Sequence, residues 1–239
     1  MTHSAKKSLG QNFLVDDNVV RKIIHGFSPR RDELVVEIGP GQGALTAYLD
    51  ELEVETIAVE LDNDLVGYLR KQVNEDSSVE IRHQDILETD LREIAVGTDK
   101  PLRVLGNIPY NITSPLLFRL IEQRDVIRDA YLMVQLELAN RMTAEPSDKS
   151  YGILSVLLQT YADAELEFKV SKNVFRPRPK VASGVVSIRW HQRWASQIPD
   201  TDLYRVVVRT AFGKRRKTLR NALGYLPLTG FDTDQLEFD

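Results

Sequence analysis

The chain has 239 residues, 42% of them hydrophobic, no cysteine and a formal net charge of −4. That allows one sizeable α/β domain with a small appendage and excludes disulfides, thiolate metal sites and cysteine nucleophiles, while four scattered histidines give no metal-ligand spacing. The total hides an asymmetry: residues 171–239 carry 13 Lys and Arg against 6 Asp and Glu, residues 1–170 carry 18 against 29, so the C-terminal part is the polyanion-facing side.

Residues 1–11 contain lysines but no apolar run of signal-peptide length, and no later segment approaches the roughly 20 apolar residues of a membrane span. A soluble, cytoplasmic protein is expected. Polar Gln11 and Asn12 beside apolar Phe13 and Leu14 suggest an ordered flap, although on its own residues this segment reads first as a plain helix lead-in. A helix follows, with Val19, Val20, Ile23 and Ile24 on one face and Asp16 or Asp17 as its N-cap.

Leu34-Val35-Val36-Glu37-Ile38 is a short apolar run that ends in Gly39-Pro40-Gly41-Gln42-Gly43-Ala44, after which Leu45, Tyr48, Leu49 and Leu52 recur at helical spacing. Strand, glycine turn and helix in that order let the backbone approach a ligand closely and offer it free N–H groups. The next strand, Thr56-Ile57-Ala58-Val59, ends in Glu60, 21 residues past Gly39. A carboxylate there is placed to accept both hydroxyls of an adenosine ribose. The glycine pattern alone would also pass for a nicotinamide-dinucleotide loop, so these residues call for an adenosine-containing cofactor without naming it.

Val79-Glu80-Ile81-Arg82 runs into His83-Gln84-Asp85. Asp85 either accepts an adenine amino group or caps the following turn; spacing leaves both open. Residues 86–99 form a polar helix or loop. Leu102-Arg103-Val104-Leu105 is a fourth strand, delivering Gly106-Asn107-Ile108-Pro109-Tyr110-Asn111. Asn107 to Tyr110 place an amide, a carbonyl without a competing neighbouring N–H, and a flat ring in consecutive residues, a set suited to holding a planar, amine-bearing base.

Ser114-Pro115 starts a helix whose buried face is Leu116, Leu117, Leu120 and Ile121. Ala130-Tyr131-Leu132-Met133-Val134 is a fifth strand, and helices are expected over residues 137–143 and 150–161. Leu166-Glu167-Phe168-Lys169-Val170 and Gly184-Val185-Val186-Ser187-Ile188 read as an antiparallel pair. The fold class is α/β: a Rossmann-like, doubly wound, mostly parallel sheet with an antiparallel edge pair. Between those last strands, Phe175-Arg176-Pro177-Arg178-Pro179-Lys180-Val181 is held extended by two prolines and interleaves one aromatic with three cations, as stacking and phosphate contact require. Residues 190–201 look like a linker. A helix over residues 203–212 precedes five cations, Lys214, Arg215, Arg216, Lys217 and Arg220.

Gln11-Asn12-Phe13-Leu14, Glu37-Ile38-Gly39-Pro40-Gly41-Gln42-Gly43, Asn107-Ile108-Pro109-Tyr110-Asn111, the Phe175 to Val181 loop and the run from Phe212 to Asn221 together resemble the ribosomal RNA adenine dimethyltransferase family, in the family's order. The last two look more like the small-subunit enzyme than the macrolide-resistance branch acting on the large subunit. The resemblance implies S-adenosylmethionine as methyl donor and N6,N6-dimethylation of two adjacent adenosines in the 3′-terminal hairpin loop of 16S rRNA, within an assembling subunit. It implies a catalytic domain over residues 1–190 and a small helical RNA-contacting domain over 191–239. The chain departs from the family in stopping at Leu236-Glu237-Phe238-Asp239, where the family continues through a further short helical stretch.

By motif match, Asn12, Leu14, Gly39, Gly41, Glu60, Asp85 and Asn107 line the cofactor site, and no metal is required. Arg176, Arg178, Lys180 and the five C-terminal cations are expected to meet RNA. In the chemistry expected, the Asn107 side-chain oxygen and the Ile108 carbonyl accept from the adenine amine. Pro109 fixes the turn, Tyr110 stacks on the base, and Phe175 covers its other face. The expected oligomeric state is a monomer. The alternatives are a large-subunit rRNA methyltransferase, a ribosome-assembly or RNA-binding factor on the same fold, and, on the glycine loop alone, a nicotinamide oxidoreductase.

Overall fold

Strand β2 (Leu34–Ile38) is buried at all five positions, which a strand achieves only at the centre of a sheet covered on both faces. In the computed structural model, which describes residues 5–6, 9–74, 76–194, 197–214 and 217–226, a short strand β1 (Phe13–Leu14) and helix α1 (Asp17–Phe27) precede it. Asp16 caps α1, its carboxylate accepting from the Asn18 and Val19 N–H groups at 3.0 and 3.2 Å. Val20, Ile23, Ile24 and Phe27 are the buried stripe.

The chain continues through α2 (Thr46–Glu51), β3 (Glu55–Glu60), α3 (Asn63–Leu69), β4 (Val79–His83), α4 (Leu91–Ala95), β5 (Leu102–Asn107), α5 (Thr113–Glu122) and β6 (Ile127–Gln135). Next come α6 (Leu136–Met142), α7 (Ile153–Gln159), β7 (Ala162–Val170), β8 (Phe175–Arg176), β9 (Ser183–Trp190), α8 (Thr201–Gly213) and α9 (Leu219–Leu223). The seven-stranded sheet has the order β4-β3-β2-β5-β6-β9-β7. Strands β4 through β6 in that order are parallel. β9 is antiparallel to both β6 and β7, so the expected pair is present, with β9 inserted between β6 and the edge strand β7.

Side-chain alternation along β2 divides the core. Leu34, Val36 and Ile38 join Val104, Leu116, Leu117 and Leu120 on one face; Val35 joins Leu105, Met133 and the α1 stripe on the other. Each such buried aliphatic side chain contributes about 1.5–3 kcal/mol. At the lower end of the sheet, Arg103 bridges Glu33 at 2.6 Å and Asp129 at 2.8 Å and stacks on the Phe27 ring. The sheet is thereby pinned at the end opposite the site. The described C-terminal helices attach through Thr160–Tyr204 at 2.6 Å and Arg205–Glu122 at 3.0 Å. Among the described residues, no helix is long and apolar enough to cross a membrane.

The strand order reverses at β2, with β3 on one side and β5 on the other, and ligands of open α/β sheets bind at such a switch point. Ile38 is in register with Gly106. The residues that follow them, Gly39 and Asn107, therefore emerge side by side at the carboxyl edge.

Candidate active site

A cleft opens at this edge, and Asn12, Leu14, Gly39, Gly41, Glu60, Asp85 and Asn107 all line it. The sequence drew these seven residues from five separate stretches. Gly39 and Gly41 sit at φ 64° and 60°, a left-handed conformation that side chains resist. A Cβ on Gly41 would also come within 3.1 Å of the Phe13 ring. The glycines thus give the loop its turn and leave room for the segment that roofs it.

Three carboxylates mark the cavity. Glu60 accepts from the Gly41 N–H at 3.1 Å and from the Asp62 N–H at 2.9 Å, tying the end of β3 to the glycine loop. Burial pushes its pKa up, against those N–H contacts. Asp85 accepts from the Leu87 N–H at 2.8 Å, so it caps the following turn as well as lining the cavity. Glu37 was not singled out from the sequence. It is 1% exposed, accepts from the Thr46 hydroxyl at 2.7 Å, and is pushed up to about 7 by burial, with Glu60 adding to the shift. The available signal was a carboxylate inside an otherwise apolar run.

The turn after β5 is held from several sides. The Asn107 amide nitrogen donates to the Asn12 carbonyl at 3.0 Å, which directs the amide oxygen away from that contact. Ile108 is 1% exposed, and its N–H donates to the Met133 carbonyl at 3.0 Å. The Pro109 carbonyl accepts from the Thr113 hydroxyl at 3.1 Å. Tyr110 is half-buried, and its hydroxyl pairs with Ser183 at 2.9 Å. Pro109 lines the cavity, whereas Tyr110 and Ile108 stand outside its lining.

Two expectations need correction. Residues 9–15 are more than a lead-in to α1, because β1 pairs antiparallel with β8, Phe13 opposite Arg176 and Leu14 opposite Phe175. That pairing also turns Phe175 inward. Its ring is 1% exposed, in the core cluster of Leu14, Val20, Ile23 and Met133, and it presents no open face to a base. Apolar area of that size is stabilised far more by the core than by an open cleft.

Arg176, at the end of β8, and Arg178 and Lys180, on the loop beyond it, are exposed. Arg176 donates to the carbonyls of Asn173 and Phe175, which fixes its stem. Lys214, Lys217 and Arg220 are exposed near α9, with the Lys214 ammonium 4.6 Å from the Tyr225 ring centre. Arg215 and Arg216, also expected to contact RNA, lie outside the described residues.

The chain is 42% identical over 219 residues to the ribosomal RNA small subunit methyltransferase A of Xylella fastidiosa strain Temecula1, covering 92% of this chain and 83% of that protein. It is 46% identical over 220 residues to the protein of that name from Chlorobium phaeobacteroides strain BS1, with 92% and 81% covered. Among solved structures, the dimethyladenosine transferase of Plasmodium falciparum superimposes with a TM-score of 0.77 at 29% identity, over 88% of this chain and 74% of that one. The 23S rRNA methyltransferase ErmE does so with a TM-score of 0.72 at 26% identity, over 89% and 83%. The family model for ribosomal RNA adenine dimethylase matches residues 2–235, and the chain belongs to that family.

Proposed function

We propose that this chain transfers methyl groups from S-adenosylmethionine to N6 of two adjacent adenosines in the 3′-terminal hairpin loop of small-subunit rRNA. It acts as a cytoplasmic monomer on an assembling subunit, through a catalytic unit at residues 1–190 and an RNA-contacting unit at 191–239. The observation that carries the reading is the meeting, at one switch point, of an adenosine-type cavity and a base-holding turn, set side by side by the Ile38–Gly106 register. The relatives called ribosomal RNA small subunit methyltransferase A support the choice of RNA.

The cavity fits the donor by the chemistry of its walls. Glu60 at the β3 end suits a ribose diol, Asp85 an adenine amine, and Leu14 and Ile86 a flat apolar ring, while the glycines allow close backbone approach. Bound there, S-adenosylmethionine supplies an electrophilic methyl group on a sulfonium whose loss leaves a neutral thioether. The protein's own task is positioning. The adenine amine is a weak nucleophile because its lone pair is delocalised into the ring. Acceptors that engage its N–H groups draw that lone pair toward nitrogen, and the Asn107 oxygen and the Ile108 carbonyl are those acceptors. Pro109 has no N–H to compete for the base. Tyr110 packs on the base from the side fixed by Ser183. The displaced proton leaves to water, so the turn holds no general base. After the first transfer one N–H fewer remains, and a single acceptor suffices for the second.

Holding the amine about 3–3.5 Å from the methyl carbon supplies most of the acceleration. Asn107→Ala and Tyr110→Ala are each expected to lower transfer by ~10²-fold or more, the scale of lost positioning. Tyr110→Ala should retain donor affinity, since Tyr110 stands outside the cavity lining. Wild-type turnover by the Tyr110 variant would sink the assignment. A titration in which the protein bound a nicotinamide dinucleotide and ignored S-adenosylmethionine would replace it with the oxidoreductase reading. The fold shared with the 23S enzyme keeps a large-subunit adenine as the alternative substrate.

A further inference from the structure

The roof of the cavity, residues 9–15, is attached at two places. On one side it is β1, joined to β8 by two residue pairs and by the Val15 N–H donating to the Val174 carbonyl at 2.9 Å. On the other side it is tied to the β3–α3 junction. Gln11 donates from its amide nitrogen to Asp62 at 2.8 Å, and its amide oxygen accepts from the Lys6 N–H at 2.7 Å. The Lys6 ammonium reaches Asp62 at 2.6 Å and Asp64 at 2.7 Å.

The Asp62 side chain is fully buried. Besides Lys6 and Gln11, it accepts from the Asp64 N–H at 3.1 Å as the cap of α3. Burial alone would push its pKa up; the Lys6 and Gln11 contacts bring it down to about 2. A buried carboxylate stripped of such partners is costly, so the strap is favoured closed. The Asp62 N–H also donates to Glu60, placing this tie next to the proposed ribose acceptor.

Between its two attachments the strap presents the Asn12 carbonyl to the Asn107 amide. Gly10, at φ 65°, packs against Asn111: a Cβ there would fall 2.8 Å from the Asn111 side-chain oxygen. The strap therefore touches both the donor cavity and the base-holding turn. We propose that Asp62 is a latch that holds the strap over the cofactor and, through Asn12, keeps the Asn107 amide oriented for reaction. Asp62 is on this account a positioning residue, and the inference rests on the methyl-transfer reading above. Each donor must leave as product before the next enters. Release requires the latch to open, and opening frees Asn107 from its orienting contact.

The test uses the full chain and an exchange of partners. Gln11→Glu sets two carboxylates against each other. Adding Asp62→Asn restores a carboxylate–amide pair with the roles reversed, and the new amide can still cap α3. Three quantities are read: hydrogen exchange at the Val15 amide without ligand, the dissociation rate of S-adenosylhomocysteine, and kcat with KM for RNA. In Gln11→Glu, release should be about 10- to 100-fold faster, the scale of one hydrogen bond to a charged group. Val15 exchange should rise and kcat fall, with KM for RNA unchanged. The double variant should recover all three to within about threefold. Unchanged Val15 exchange and release in Gln11→Glu, or a double variant no better than the single, overturns the latch. Val15 exchange needs neither donor nor RNA, so a wild-type protein that neither bound the donor nor transferred methyl would count against the function while leaving the latch to its own measurement.

Discussion

Glu37 gives the most quantitative prediction. Its carboxyl is 1% exposed and is raised from 4.5 to about 7, first by burial and then by the neighbouring Glu60, against the Thr46 hydroxyl that stabilises the charge. Below about pH 4.5 it is protonated in both folded and unfolded chains and adds no pH dependence. Between 4.5 and 7 the folded chain holds a proton that the unfolded chain has lost. Unfolding then releases a proton, so stability falls as pH rises across this window and levels off above it. The drop is the pKa difference converted at 1.36 kcal/mol per unit, roughly 3 kcal/mol. Glu37→Gln keeps an oxygen for Thr46 and carries no charge at any pH, so it lacks this loss. Urea unfolding of both proteins at about pH 5 and about pH 8 should show the variant gaining roughly 3 kcal/mol relative to wild type at the higher pH. Comparing the two proteins removes most contributions from other groups. Parallel stability profiles would refute a buried carboxyl ionising near neutrality.

Gly106→Ala places a Cβ 2.6 Å from the Ile38 carbonyl oxygen and 2.8 Å from the Ile108 side chain, and the backbone oxygen yields only if β2 and β5 separate. The expected cost is about 1–3 kcal/mol of overpacking, together with a loss of transfer approaching ~10²-fold from displacement of Asn107. Wild-type melting and turnover would refute the register argument. Replacing Arg176, Arg178 and Lys180 together with alanine should flatten the dependence of log RNA affinity on log salt by about 0.7–0.9 per lost phosphate contact. Donor affinity should not change, and an unchanged slope would remove this loop from the RNA path.

The elements that positioned the site were legible because each carries a local signal. The runs at residues 34–38 and 102–105 are mostly apolar, and Gly39 and Gly41 punctuate one of them where the backbone must turn left-handed. Asp16 and Asp17 announce the start of α1 by their side-chain chemistry, and the structure assigns the cap to Asp16. The strap was only half legible. Its pairing with β8 joins two-residue strands some 160 positions apart, and such a pair has no periodicity to read. The inward turn of Phe175 follows from that pairing, so it was hidden for the same reason; an aromatic beside cations reads equally as a stacking platform or a core anchor. Glu37 escaped because an apolar strand conceals one carboxylate. Asp62 was not singled out at all, since Lys6 and Gln11 reach it from a distant part of the chain. The insertion of β9 between β6 and β7 is a choice of topology that alternation within either strand does not encode.

Nucleoside mass spectrometry tests both the substrate and the product of the proposed reaction. Small- and large-subunit rRNA lacking the modification would be incubated separately with the protein and S-adenosylmethionine carrying a labelled methyl group, then digested to nucleosides. Labelled N6,N6-dimethyladenosine is expected from small-subunit rRNA, confined to two adjacent positions in its 3′-terminal hairpin loop. Labelled dimethyladenosine from large-subunit rRNA alone, or RNA binding with no label in either, would contradict it.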